Sequence, residues 1–106
     1  MDERVKKYFE NPRKIKSVKP LENYVLALTF DNGEERRYNM GDKLTGVFSV
    51  LKNPEKFNNV FLDEVGNVAW NIDETVDSEK HWENRIDLCK DALYLESDPI
   101  SAWYEE

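Results

Sequence analysis

A single cysteine, Cys89, rules out a disulfide within the chain, and no apolar run approaches the roughly 20 residues that a membrane-spanning helix needs. The four glycines, Gly33, Gly41, Gly46 and Gly66, are scattered one to a turn, so there is neither a glycine-rich phosphate cradle nor a Walker loop. The opening stretch MDERVKKYFENPRK lacks the apolar middle and small-residue cleavage site of a secretory leader. Together with the unpaired thiol, this predicts a cytoplasmic protein. His81 is the only histidine. Asp73, Glu74, Asp77, Glu79 and Glu83 surround it with oxygen ligands, but the alternating acids and following glycine of a calcium loop are missing. Cys89 would need a base and an orienting group to act as a nucleophile. His81 stands eight residues before it and no third partner is evident, so a buried, inert thiol is expected. No catalytic residue, cofactor or metal ligand is assigned from these patterns.

Charge is plentiful but unevenly spread. The net charge of -7 is the sum of +4 over residues 1–20, -1 over residues 21–62 and -10 over residues 63–106. So acidic a body repels phosphate backbones and leaves only the basic head as a route to nucleic acid. That head carries Arg4, Lys6, Lys7, Arg13, Lys14 and Lys16. These side chains read either as a basic arm for nucleic acid or an acidic partner, or as a solvated helix face running into the next strand.

The best-defined local structure lies in YVLALTFDNGEERRY, residues 24–38. Tyr24, Leu26, Leu28 and Phe30 alternate with smaller residues, as the two faces of a strand require, and Asp31-Asn32-Gly33 supplies a turn that tolerates positive φ. A two-residue turn would set Phe30 against Glu35 and Leu28 against Arg37. A three-residue loop with Gly33 in the left-handed conformation sets Phe30 against Glu34, Leu28 against Arg36 and Leu26 against Tyr38. The second register keeps Tyr38 and Met40 on the face of Leu26, and it is the one expected.

At 106 residues the chain can bury one core without staples, and two domains are not expected. Residues 2–10 predict a short helix capped by Asp2, with Val5, Tyr8 and Phe9 on its apolar stripe. Ile15 to Val18 predicts a strand ended by Lys19-Pro20. Met40, Leu44, Val47, Phe48 and Leu51 recur at helical spacing, divided by Gly46 into two short helices. Pro54 opens a further turn with Phe57 pointing inward. Val60–Val65 and Val68–Asn71 predict a second hairpin around Gly66-Asn67, with Trp70 in the core. Residues 72–85 read as a long, partly ordered acidic loop, after which Asp87 caps a helix whose Leu88, Ala92 and Leu93 face inward. The fold class is α+β: a small, mainly antiparallel sheet of two hairpins plus an N-terminal strand, covered by short helices. The expected division is residues 1–14 as helix and basic arm, 15–100 as one α+β domain and 101–106 as an aromatic, acidic tail.

The segments LTFDNGEERRYNM, GVFSVLKNPEKFNNVFLDEVGNVAWNID and IDLCKDALYLESDPI together resemble the bacterial domain-of-unknown-function 2442 family over roughly residues 15–100. The resemblance is carried by Phe30 and Gly33, the Phe57 segment, Trp70 after a turn, and Asp87-Leu88 followed by Asp91 and Leu93-Tyr94. Many members have proline where this chain has Lys90. It implies a small α+β domain of the bacterial cytoplasm, found alone or joined to a helix-turn-helix, near toxin–antitoxin-like partners. It brings no catalytic residues.

The aromatic side chains point toward binding. Trp82, beside His81 in a polar stretch, and Trp103-Tyr104 in the tail have no evident place in the core, and exposed Trp and Tyr are enriched where proteins meet. The opposing expectation is that they fold back onto their own sheet. The expected function is a non-enzymatic protein-interaction or regulatory module, antitoxin-like in character, with another protein as partner and His81, Trp82, Trp103 and Tyr104 as its surface. One alternative is a nucleic-acid-associated regulator using Arg4, Lys6, Lys7, Arg13 and Lys14. Another is an enzyme with its site near the acidic loop. An open sheet edge also permits a homodimer.

Overall fold

In the computed structural model, which describes residues 3–78 and 80–99 apart from the side chains of Arg4 and Trp82, the hairpin forms in the three-residue-loop register. Strand β2 (Val25–Phe30) pairs antiparallel with β3 (Glu35–Asn39), setting Leu26 against Tyr38 and Leu28 against Arg36. Gly33, at φ +85°, turns the chain so that its N–H donates to Phe30 O while the Phe30 N–H donates to Glu34 O, each at 2.9 Å. Leu26, Leu28 and Phe30 are wholly buried, so the expected face is the core face. Tyr24 is a correction to that row. It lies before the strand, in a turn where Asn23 and Tyr24 both have φ of 61°. This conformation is uncommon for a bulky residue and is held from several sides. The Tyr24 carbonyl accepts from Met40 N–H, its hydroxyl donates to Lys52 O, and its ring stands edge-on to Phe57 at 5.4 Å.

Strand β1 (Ile15–Leu21) adds to the far side of β2. It runs through Lys19-Pro20, where sequence reading ended it. As the outer strand it can carry a proline, whose missing N–H costs nothing on an edge that faces solvent. A fourth strand, β7 (Asp98–Pro99), pairs with Arg36 and Arg37 and completes the order β1-β2-β3-β7.

The second hairpin, β4 (Phe61–Leu62) and β5 (Val68–Asn71), belongs to a separate sheet closed by β6 (Arg85–Leu88). The architecture is therefore α+β with two antiparallel sheets, where a single sheet was expected. Strand β6 also overturns the reading of Asp87 as a helix cap: Asp87 pairs with Ala69, and Trp70 with Ile86. Helix α3 starts later, at Lys90–Glu96, and its first N–H donates to Asn67 Oδ1 in the β4–β5 turn at 3.0 Å. A cap supplied from so far along the chain leaves no local signature. Ala92 consequently faces solvent, while Leu93 is buried.

Between the sheets, Gly41–Lys43 and Gly46–Lys52 form 3₁₀ turns rather than the expected α-helices. Three residues per turn put Phe48 and Leu51 on one side and leave Val47 65% exposed. Helix α2 (Pro54–Asn58) begins as predicted. Asn53 Oδ1 accepts from Glu55 N–H at 3.0 Å, and Phe57 turns inward to within 6.0 Å of the Trp70 ring. Trp70 is wholly buried and its Nε1–H donates to Phe57 O at 3.0 Å. Burying an indole with its one donor satisfied is worth about 2–3 kcal/mol, so Trp70 ties the second sheet to the helical layer.

Residues 72–78 and 80–84 are more closely knit than the partly ordered loop that was expected. Asn84, 8% exposed, holds them from inside. Its Oδ1 accepts from Asp73 N–H at 2.9 Å, and its Nδ2 lies 2.9 Å from Asp73 O, 3.2 Å from Val76 O and 3.0 Å from Ser78 Oγ. Helix α1 (Glu3–Glu10) precedes both sheets. Tyr8 is its buried anchor, while Phe9, expected on the apolar stripe, is half exposed. The cap at Asp2 and the tail at 101–106 lie outside the described residues.

Candidate binding cleft

Helix α1, the tip of the β2–β3 hairpin and helix α3 meet around two tyrosines. Tyr8 lies in the last turn of α1, and Tyr94 stands on the inward side of α3 beside Leu93. Their rings stack at 5.1 Å, and Phe30 of the hairpin meets Tyr94 edge-on at 4.9 Å. Each hydroxyl is tied to a carboxylate. Tyr8 Oη donates to Asp91 Oδ1 at 2.5 Å and accepts from Arg13 N–H at 3.2 Å, while Tyr94 Oη donates to Glu34 Oε1 at 2.8 Å.

These ties bias the titration of both partners. Burial would push the Glu34 carboxyl up, but hydrogen bonds from Arg36, Tyr94 and Asn32 outweigh it and hold Glu34 below the usual range. Asp91 is likewise held low, because the Tyr8 and Lys90 hydrogen bonds exceed its desolvation. Burial, reinforced by the neighbouring carboxylate, pushes the Tyr8 and Tyr94 hydroxyls up. Both carboxylates therefore stay charged and both phenols neutral over the ordinary pH range.

Above the rings lies an open cleft of about 480 Å³, lined chiefly by Lys7, Tyr8, Asn11, Arg13, Arg36 and Tyr94. Three cations reach it, and none of the described lining residues is acidic. The cations differ in how far they are engaged. Arg36 is occupied: Nε donates to Ser97 Oγ at 2.6 Å, its other nitrogens bond Glu34 and the Ser97 carbonyl, and its guanidinium lies 4.8 Å from the Tyr94 ring centre. Arg13 stands 3.6 Å from Asp31, an ion pair too long for a hydrogen bond, and makes one 3.3 Å contact to Asn11 O. Lys7 is exposed and pairs with no carboxylate among the described residues.

The sequence-predicted residues separate accordingly. Of the basic set, Lys7 and Arg13 come together in the cleft, while Lys6 and Lys14 are exposed outside its lining. The Arg4 side chain is not described. Of the aromatic set, the Trp82 side chain, Trp103 and Tyr104 lie outside the described residues. His81 is exposed, 3.5 Å from Glu83, beside a shallow hollow of about 450 Å³ that includes Asp73 and Asn84. Cys89 is a correction: it was expected to be buried and is exposed, preceding α3 with Sγ 3.8 Å from Asp91 Oδ2. Among the described residues no three His, Cys, Asp or Glu side chains are grouped to hold a metal ion. Sequence reasoning missed Tyr94, Arg36 and Asn11 as a group. Of the cleft's floor, Tyr8 was signalled by the apolar stripe of α1, and Tyr94 entered only as a carrier of the family resemblance.

Two antiparallel sheets, short helices and a cleft of cations over stacked tyrosines define a small α+β domain. No helix among the described residues is long and apolar enough to cross a membrane. The chain belongs to the family described as "Protein of unknown function (DUF2442)", whose model matches residues 15–99. Helix α1 and Arg13 precede that match, so the cleft joins family positions such as Arg36 and Tyr94 to a leading segment outside it. No curated protein and no solved structure matches the chain.

Proposed function

We propose that this chain is a non-enzymatic interaction module of the bacterial cytoplasm that docks another protein at the cleft between α1 and α3. The observation that carries this reading is the pairing of two under-engaged cations, Lys7 and Arg13, with an already ordered tyrosine floor. Ordered rings beside available charge suit a protein contact, because little side-chain freedom is lost on binding. The hollow near His81 supports an enzyme less well, since Asn84 beside it is occupied in holding its own loop. The docking site expected at Trp82, Trp103 and Tyr104 falls outside the described residues, and the cleft takes its place here.

The test places the photo-crosslinker benzoylphenylalanine at Leu95, on the cleft wall, and in a second protein at Val47, which is exposed elsewhere. A discrete cross-linked protein should form in cells from position 95, be absent from position 47, and disappear when Arg13→Glu is added. Equal cross-linking from both positions would remove the cleft as the docking site. A second reading, nucleic-acid binding, is favoured by Lys6, Lys14 and Lys16, which are exposed along the same leading segment. It predicts a gel shift at low salt that fades steeply as salt is added.

A further inference from the structure

Resting on that reading of the cleft, we propose that what it takes from its partner is a carboxylate: Lys7, Arg13 and the side-chain amide of Asn11 form a subsite for an aspartate or glutamate of an acidic peptide segment. Availability decides which side chains take part. Arg36 has its guanidinium distributed among Glu34, Ser97 and the Tyr94 ring, and cannot turn outward without breaking all three contacts. Arg13 has only a 3.6 Å ion pair and one 3.3 Å bond to a carbonyl, which leaves most of its five donors free. The Lys7 ammonium and the Asn11 amide bond to no described side chain. A planar guanidinium meets a carboxylate through two parallel hydrogen bonds, and an ammonium and an amide at its side can satisfy the remaining lone pairs.

Charge balance favours a carboxylate over a phosphate. Asp31, Glu34 and Asp91 stand close behind the cations, and hydrogen bonding holds the last two ionised. Lys7, Arg13, Arg36 and Lys90, which lies 2.9 Å from Asp91, outnumber these three carboxylates by one, so one added negative charge is balanced. A doubly charged phosphate would meet those carboxylates with too little compensation. A polyphosphate chain leaving the cleft would also face the acidic body, -10 over residues 63–106. Leu95 on the cleft wall and Phe9, half exposed with its ring 5.1 Å from Tyr8, offer apolar surface to the methylenes of a glutamate or to a neighbouring apolar residue.

The experiment is an amide NMR titration of the full chain with a short glutamate-rich peptide, the same peptide with glutamine at each glutamate, a phosphoserine counterpart and oligothymidylate. The glutamate peptide should move the signals of Lys7, Asn11 and Arg13. The glutamine peptide should bind about tenfold more weakly, the loss expected from one charge-assisted contact. A Lys7→Gln/Arg13→Gln double variant with an unchanged melting temperature should show the same loss for the glutamate peptide. Equal affinity for the glutamate and glutamine peptides would overturn the inference, as would tighter binding of the phosphopeptide or oligothymidylate through the same residues. If the Leu95 cross-link forms while the two peptides bind alike, the carboxylate assignment fails and protein docking stands. If the cross-link is absent while glutamate binds at Lys7 and Arg13, the assignment stands and docking fails.

Discussion

The acidic excursion at 72–84 and the cleft between α1 and α3 are both dense in polar side chains, yet they differ in what those side chains still have to offer. In the excursion, Asn84 turns its amide inward, Ser78 Oγ donates to Asn71 Oδ1 at 2.5 Å, and Asp73 accepts from both the backbone and hydroxyl of Thr75. At the cleft the floor's phenols are paired with carboxylates behind it, while two of the three cations reaching it remain lightly held. Counting charges would single out the first region. Counting uncommitted donors singles out the second.

Breaking the inward network should have the largest effect. Asn84→Ala leaves the Asp73 N–H and several carbonyl or hydroxyl oxygens without their partner, and should lower unfolding free energy by about 3 kcal/mol in urea titration. A change within about 0.5 kcal/mol would mean that the excursion does not depend on that side chain. Arg36→Ala should cost less, about 2 kcal/mol, because its ion pair with Glu34 is partly solvated even though its bonds to Ser97 and its stacking on Tyr94 are lost with it. Tyr8→Phe should cost about 1 kcal/mol, removing one bond to Asp91 and freeing the Arg13 N–H.

The pH dependence of stability sharpens the same contrast. Glu34 and Asp91 have folded values below their ordinary 4.5 and 3.8, so their stabilisation is present above those values and is lost as pH falls through the lower folded ones. Tyr8 and Tyr94 are raised from 10.0, so the stability they contribute is complete below that pH and declines as pH climbs toward the folded values. Melting temperature should therefore hold level between about pH 5 and 9.5 and fall on either side, with the alkaline fall reduced in Tyr8→Phe. The smallest effect belongs to the lightly held cations: Lys7→Gln and Arg13→Gln should each change stability by less than about 0.5 kcal/mol. If Arg13→Gln destabilises as much as Arg36→Ala, the distinction between engaged and available cations collapses.

Much of the first sheet was legible because its information is local. Alternation from Leu26 to Phe30 and the left-handed Gly33 specify a register, and a one-residue slip would have put Tyr38 on the wrong face. Pro54 and Asn53 likewise announced α2. The second sheet was only half visible. Strand β6 is four residues long and carries Asp87 on its exposed side, so nothing within it outweighs a helix-cap reading until Ala69 and Ile86 have their partners. The cleft was the least legible of all. Lys7 and Arg13 stood out as basic residues, but their company comes from Tyr94 and Asp91 near the other end of the described chain, as the 83-residue separation of the Tyr8–Asp91 bond shows.

The exposed Cys89 has a practical consequence. It is the one sulfhydryl in the chain, and it sits 3.8 Å from the carboxylate that anchors Tyr8. A maleimide dye will therefore attach at a single, known point at the seam of α1 and α3, with no engineering of the protein. Its emission would then report, in real time, any separation of those helices when a ligand arrives.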